Sequence, residues 1–386
     1  MILILNAGSS SIKFALYETG VEPVEVARGQ VESLGGAARL TVRRAGAAAV
    51  VRELGGADHA AGLRDILVVT RELAGQAKIA GVGHRITHGG ADFLAPALLD
   101  AATLARLDAL VPYAPLHQPY NLAAVRAAIE AFPDALQVGC FDTAFHRGQS
   151  FVSEAFALPR RYYEAGIRRY GFHGLSYDYV TGELARGLPE IAAGRVVIAH
   201  LGNGASMCAV RNGRSVETTM GFTALDGLAM GTRCGQLDPG VMLYLMEAEG
   251  LGAAAISRIL YRESGLLGLS GLSADMRELE ASDAPEARQA IAYFCHRIAR
   301  ETGALAATLG GLDALVFCGG IGENSARVRA DVCGPLAHLG VAIDAGHNRV
   351  HARDIGAGTA RVLIIPTNEE LVIARATRQA LNTAGG

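Results

Sequence analysis

Charge is scarce in this sequence. Only 19% of its 386 residues are Asp, Glu, Lys or Arg, and the formal net charge is −3. So even a balance excludes the basic footprint that nucleic-acid binding requires. The cysteines at 140, 208, 234, 295, 318 and 333 include no C-x-x-C pair, which argues against a zinc site. Several stand inside apolar runs such as Val316-Phe317-Cys318, where a reduced thiol behaves as a small hydrophobe, a usage that fits a reducing cytoplasm. The apolar runs are strand-length, short of the roughly 18 residues of a membrane span. No basic leader precedes Met1-Ile2-Leu3-Ile4-Leu5, which reads as a first core strand. Glycine is plentiful, yet no Gly-x-y period appears, and no glycine-rich stretch leads into Lys-Ser/Thr, so the Walker type of phosphate loop is excluded. Also missing are a serine nucleophile elbow, a catalytic Cys–His motif, a nicotinamide fingerprint and the H-x-x-x-H or H-E-x-x-H spacing of a transition-metal site.

What remains is ample apolar material. Half of the residues are hydrophobic, and the length exceeds one ordinary core, so two domains are expected. Short apolar runs at 2–5, 196–199, 314–318 and 362–365 alternate with helical stretches, which predicts an α/β chain on central sheets. Helices are expected at 119–132, where Leu122, Val125, Ala128 and Ile129 share a face, and at 286–310, with Gly310-Gly311 as the stop. A weak repeat is present. The run 2–5 enters Asn6-Ala7-Gly8-Ser9-Ser10-Ser11 and leaves through 12–16; the run 196–199 enters His200-Leu201-Gly202-Asn203-Gly204-Ala205-Ser206 and leaves through 207–210. Two hairpins of one type suggest duplicated halves facing each other across a cleft.

The same turns carry candidate chemistry. Gly, Ser and Asn offer backbone N–H groups and hydroxyls that converge on phosphate oxygens, and Lys13 adds a point charge. An ordinary β-hairpin is the commoner meaning of one such turn, but two matched turns, with a third expected at 319–324, favour a nucleotide. Arg85 in Gly83-His84-Arg85-Ile86-Thr87-His88-Gly89-Gly90 and Arg233 in Met230-Gly231-Thr232-Arg233-Cys234-Gly235-Gln236 sit in segments nearly free of other charge. Such arginines suit a carboxylate or a phosphoryl oxygen gripped in bidentate fashion. His117 lies in a proline-framed turn, His173 lies between glycines, and Asp142 follows a buried strand. Glu369 and Glu370 open the last helix, where they complement its dipole or hold Mg²⁺ through water. Glycine turns, arginines, neutral histidines and a few carboxylates are what phosphoryl transfer needs.

Taken in order, the stretches at 6–14, 83–90, 114–119, 141–146, 168–174, 200–206, 221–233, 317–324 and 365–371 resemble the acetate kinase family, in the acetate and sugar kinase, Hsp70 and actin superfamily. The resemblance implies two domains of duplicated ribonuclease-H-like topology with the active site in the cleft between them. Residues 1–145 with the helix 370–386 would form one domain and 146–369 the other. It implies a cytoplasmic homodimer that transfers the γ-phosphoryl group of ATP to acetate with Mg²⁺, or Mn²⁺ in its place. By the same resemblance Asn6 and Glu369 are magnesium-side residues, and Ser9, Ser11 and Lys13 contact phosphate. Arg85 and Arg233 grip the carboxylate and the transferring phosphoryl, Asp142 is the catalytic carboxylate, His173 stabilises the transition state, and His117 and His200 support it. His200, Leu201, Gly202, Asn203 and Gly204, then Asp275, Met276 and Arg277, then Gly320, Ile321, Gly322, Glu323 and Asn324 form the nucleotide side. The acyl pocket is expected from Arg85, Thr87, Leu116, His117, Phe172 and Ala224. Thr87 stands where relatives commonly have Val, Ala224 where they have Pro, Gln118 where they have Asn, and Cys234-Gly235-Gln236 where they have Ser-Gly-Asp. The pocket is therefore expected to be roomier and more polar, accepting propionate nearly as well as acetate. Cys234, next to Arg233, is expected to have a lowered pKa. Competing expectations are another short-chain acyl kinase, an actin- or Hsp70-like nucleotide module, and a sugar kinase of the same fold.

Overall fold

The computed structural model describes residues 1–8 and 10–384. The chain divides into two compact units, Met1–Phe145 with Asn368–Gly386, and His146–Thr367. The first unit is built on β1 (Ile2–Ala7), β2 (Ile12–Glu18), β3 (Val24–Glu32), β4 (Ala38–Arg44), β5 (Val50–Gly55), β6 (Gly81–Ile86), β7 (Ala97–Leu98) and β8 (Leu136–Phe141). Their order across the sheet is β5-β4-β3-β2-β1-β6-β8-β7. β1 pairs antiparallel with β2 and parallel with β6, and β6 runs parallel to β8. Every residue of β1 is buried, which is why its first four, Ile2 to Leu5, read as an apolar run with no polar alternation, and the polar Asn6 stands only near its end. The helix Glu369–Ala384 packs over β6, where a Cβ on Gly83 would collide with Thr377 and Ile373. Glycine in that strand is thus a packing requirement.

The second unit holds β9 (Arg195–Leu201), β10 (Ala205–Arg211), β11 (Arg214–Thr218), β12 (Ala314–Cys318) and β13 (Arg361–Ile364), ordered β11-β10-β9-β12-β13. β9, β10 and β11 are antiparallel neighbours; β9, β12 and β13 are parallel. The helix Pro285–Leu309 lines its core with Ala290, Phe294, Ile298 and Leu305, and stops at Gly310, which is left-handed at φ 71. Setting aside β4, β5 and β7, both sheets have the ribonuclease-H-like order in which an antiparallel three-strand meander is extended by two parallel strands. The weak sequence repeat is a repeated topology.

The two expected hairpins are β1–β2 and β9–β10, and the expected helices appear as Gln118–Ala131 and Pro285–Leu309. One expectation fails. Residues 319–324 form a short helix, Gly319–Asn324, and not a turn. Gly319 bends the chain out of β12 at φ 75, and Glu323 reaches back to accept its N–H at 2.9 Å, so the segment closes on itself. No helix among the described residues is long and apolar enough to cross a membrane, and the six cysteines are free.

Candidate functional site

In the first unit three neighbouring parallel strands end together. Leu5 lies opposite His84 and Arg85 opposite Cys140. Asn6, Arg85 and Asp142, the residue after β8, therefore reach the carboxyl edge of one sheet, where open α/β sheets place ligands. Arg85 donates from Nε to both Asp142 oxygens at 3.0 and 3.2 Å, and from Nη2 to Oδ2 at 2.5 Å. Its Nη1 donates to Asn6 Oδ1 at 3.1 Å, and Nε lies 3.8 Å from Glu369. The Asp142 side chain is 1% exposed and that of Arg85 22%, so the guanidinium is the open side of the pair. Burial works to lower the Arg85 pKa, but Asp142 and Glu369 outweigh it and leave it raised. Burial pushes the Asp142 carboxyl up, Arg85 pulls it down, and Glu369 pushes it up again.

The segment after Arg85 is laced to the helix Gln118–Ala131. Thr87 N–H donates to Asn121 Oδ1 at 2.9 Å, and Asn121 Nδ2 donates to the Ala7 carbonyl at 2.6 Å. Gln118 accepts from His88 N–H at 3.1 Å and donates back to the His88 carbonyl at 3.0 Å. Two polar residues three apart on a buried helix face thus hold the ends of β1 and β6. Thr87 is buried, Leu116 and His117 are half-buried, and His117 is the N-cap residue of that helix.

In the second unit, His173 heads the helix Gly174–Gly187 in a left-handed conformation, φ 59. Its Nδ1 lies 2.8 Å from Ser206 Oγ, which is 2.5 Å from the Tyr177 hydroxyl. Its ring stacks on His200 with centroids 4.3 Å apart and planes at 26°. Arg233 donates from Nη1 to the Ala224 carbonyl at 2.6 Å. The two tips converge at the turn between β9 and β10. A Cβ placed on Gly204 would stand 3.2 Å from Arg233 Nη2 and 3.3 Å from His173 Nε2. The Arg233 loop is braced from behind: Ser264, Leu266 and Leu267 donate N–H groups to the carbonyls of Thr232, Met230 and Gly231 at 3.1, 2.8 and 3.0 Å. Gly265 sits among them at φ 65, and a Cβ there would strike the Met230 carbonyl.

A family model described as the acetokinase family matches residues 1–375. The chain belongs to the acetokinase family. It is 53% identical to an acetate kinase of Methylocella silvestris, covering 99% of this chain and 98% of that one. It is 49% identical to an acetate kinase of Nitrobacter hamburgensis, with 98% and 96% covered. Among solved structures it is similar to a propionate kinase from Francisella tularensis, at a TM-score of 0.91 and 37% identity, covering 98% of this chain and 99% of that one. The acetate kinase of Porphyromonas gingivalis follows, at 0.89 and 37%, with 98% and 99% covered.

Other residues that the acetokinase resemblance points to fall as follows. Lys13 is exposed on β2, opposite Asn6. Ser11 is half-buried, its carbonyl accepting from Gly8 N–H at 2.8 Å, and Ser9 lies outside the described residues. His200 and Leu201 end β9, and Gly202, Asn203 and Gly204 make the turn, with the Asn203 carbonyl accepting from Gly231 N–H at 3.1 Å. Asp275 caps the helix Met276–Glu280 through Arg277 N–H at 2.9 Å and pairs with the Arg277 side chain at 2.5 Å, while Met276 is buried in the core. Gly320 has open space where a Cβ would be, Ile321 packs on the core, Gly322 is buried, and Asn324 bonds the Gly320 carbonyl at 2.9 Å. Glu323 holds Gly319 and Thr367 N–H groups together at 2.9 and 3.3 Å. Phe172 is a residue of the second unit's core.

Two departures from the family resolve differently from each other. Cys234 does not have a lowered pKa: burial raises it, Asp226 raises it further, and the thiol turns to the Gly235 carbonyl at 3.2 Å. Gln236, by contrast, still anchors its loop. Its Oε1 accepts from Arg297 and Arg300, each at 2.5 Å, so an amide oxygen serves as the shared acceptor. Sequence reasoning assigned no role to Asn121, Tyr177 or Gly265, and it read Ser206 as a turn hydroxyl for phosphate, whereas its Oγ lies against His173 Nδ1 and the Tyr177 hydroxyl. Tyr177 was findable, since it stands four residues after His173 on one helix face.

Proposed function

We propose that the protein is an acetate kinase, catalysing ATP + acetate ⇌ ADP + acetyl phosphate by direct in-line transfer. The observation that carries this reading is the Arg85 cluster, a guanidinium fixed by a buried carboxylate at the carboxyl edge of a sheet, in a chain that the acetokinase family model matches over residues 1–375. A carboxylate is already a nucleophile at neutral pH, so no strong general base is needed. The barrier is the meeting of two anions. Asp142 spends its oxygens on Arg85 and so orients the cation that receives the acceptor carboxylate. Arg233 and His173 supply positive charge and an N–H for the equatorial phosphoryl oxygens, and Ser206 with Tyr177 fixes the imidazole from behind. The turn at 202–204 and the helix Gly319–Asn324 hold the nucleotide, with Ser11 and Lys13 as further phosphate contacts.

The donor chemistry fits Mg²⁺. Asn6 and Glu369 offer hard oxygens on either side of Arg85, and among the described residues no group of three or more His, Cys, Asp or Glu forms a metal cage. An ion held by two protein oxygens and completed by phosphate and water is the usual Mg²⁺ arrangement. When bound, it would neutralise charge on the nucleotide phosphates.

In this reading Thr87, Leu116 and His117 are the acyl-side residues of the first unit, and Phe172 and Ala224 those of the second. One methylene is worth about 1–3 kcal/mol of discrimination, so propionate is expected to be nearly as good a substrate. The likeness to a propionate kinase structure favours the same second reading. The chain also acts as a cytoplasmic homodimer. The helix Pro239–Glu247 has no buried residue although Val241, Met242, Leu243, Tyr244 and Met246 are apolar, and a helix so apolar is ordinarily covered. The deciding experiment is hydroxamate trapping with ATP, Mg²⁺ and acetate, propionate and butyrate. Carboxylate-independent ATP hydrolysis with no acyl phosphate would overturn the reading. Retention of configuration at a chiral γ-phosphorus would overturn in-line transfer.

A further inference from the structure

His146 stands outside every role assigned so far, yet it is fully buried and both of its ring nitrogens are engaged. Nε2 lies 2.9 Å from the Phe172 carbonyl and Nδ1 lies 2.9 Å from Ser215 Oγ. A carbonyl can only accept, so Nε2 carries the proton. Nδ1 is then a lone pair, and the Ser215 hydroxyl must donate to it. The Ser215 oxygen in turn accepts from Gln149 Nε2 at 2.8 Å. Every direction in the chain from Gln149 through Ser215 and His146 to the Phe172 carbonyl is fixed by elimination. Burial keeps the ring neutral, lowering its pKa to about 4.

The carbonyl at the end of this chain lies in an unusual place. Gly171 and His173 on either side of Phe172 are both left-handed, at φ 74 and 59. For a histidine this costs about 1–2 kcal/mol, and it persists only where neighbours over-determine it. The His146 ring lies against Gly171, so that a Cβ there would come within 2.6 Å of Cδ2. The next residue continues the hold. Arg147 donates to the Arg169 and Tyr170 carbonyls at 3.2 and 3.0 Å, and its guanidinium covers the Tyr170 ring at 5.0 Å. Three carbonyls within four residues are thus taken by two adjacent side chains.

We propose that His146 is a positioning residue: with Ser215 and Arg147 it clamps the backbone that aims His173, and so sets turnover without touching a reactant. This rests on the reading of His173 as the group that stabilises the transferring phosphoryl. The test compares His146→Leu, His146→Gln, Ser215→Ala and His173→Ala by kcat, by KM for ATP and acetate, and by melting temperature. His146→Leu strips the donor from the Phe172 carbonyl and is expected to lower kcat about 10- to 100-fold, with both KM values within about twofold, as misplacement of a reacting group does. His146→Gln can still donate to that carbonyl and is expected to recover most of the loss. Ser215→Ala removes the hydroxyl that steadies the ring at Nδ1 while the Phe172 carbonyl still fixes the tautomer, and it is expected to fall between them. A folded His146→Leu protein with native kcat overturns the proposal. If that variant does not fold, native kcat in Ser215→Ala overturns it. Native kcat in His173→Ala would sink the underlying reading instead, so the two failures are separable.

Discussion

Gly204 offers the sharpest test of where the chemistry takes place, because stability and turnover should part company there. Its φ is not left-handed, so Gly204→Ala introduces no backbone strain. Losing a glycine's freedom in the unfolded chain stabilises by about 0.4–1 kcal/mol. Against this, the new methyl stands 3.2 Å from Arg233 Nη2 and 3.3 Å from His173 Nε2, slightly closer than ordinary contact. Both neighbours are side-chain tips that can withdraw by a few tenths of an ångström, so folding free energy should change by less than about 1 kcal/mol.

The same withdrawal moves the two groups proposed to meet the transferring phosphoryl. A misplacement of roughly 1 Å costs about 100-fold, so a few tenths should cost about tenfold in kcat, or about 1.4 kcal/mol of transition-state stabilisation. The control is Gly303→Ala, in the middle of the helix Pro285–Leu309, where a Cβ meets nothing. That change should raise stability by about 1 kcal/mol and leave kcat alone. Hydroxamate turnover at saturating ATP and acetate, with melting curves for both variants, gives the answer. If Gly204→Ala keeps native kcat and KM, the space between His173 and Arg233 is not where the phosphoryl group passes.

Other outcomes follow from the same geometry. Asp142→Asn breaks a buried ion pair and should cost about 3–5 kcal/mol in urea unfolding, with kcat falling at least 100-fold; a loss under about 1 kcal/mol would mean that Glu369 alone can hold Arg85. Iodoacetamide at pH 7 should modify Cys234 no faster than an ordinary thiol, since burial raises its pKa; rapid labelling would contradict that. His84 is buried and bonded to Gln137 at 2.8 Å, and burial lowers its pKa to about 4. The unfolded chain therefore binds a proton there first, so this contribution is complete above about pH 6.5 and declines as pH falls towards 4, by roughly 3 kcal/mol. Urea unfolding of His84→Gln should show a flatter slope between pH 6.5 and 4 than the native chain, and an unchanged slope would refute the assignment.

How much of this could be read beforehand depended on whether the cause was local. β1, β9 and β12 announced themselves through the apolar runs 2–5, 196–199 and 314–318, because both faces are covered there, and the matched glycine turns announced two hairpins. The long helix was legible down to Gly310. The central cluster was not. Arg85 and Asp142 meet because β6 and β8 are parallel neighbours joined by a long crossover, and no periodicity shows which strands will be neighbours. Only resemblance named that pair. Gln118 and Asn121 left a fainter mark, as polar residues three apart on a face that should have been apolar; such a mismatch is a reliable sign of a buried hydrogen-bonding task. Cys234 shows the opposite hazard. Adjacency to Arg233 in sequence suggested an activated thiol, but the arginine reaches away to the Ala224 carbonyl and Gly204 while the cysteine turns to the Gly235 carbonyl, leaving desolvation to set its pKa. A neighbour along the chain affects a charge only if it is also a neighbour in space. Where backbone geometry separates the two, as at residues 233 and 234, burial decides the chemistry.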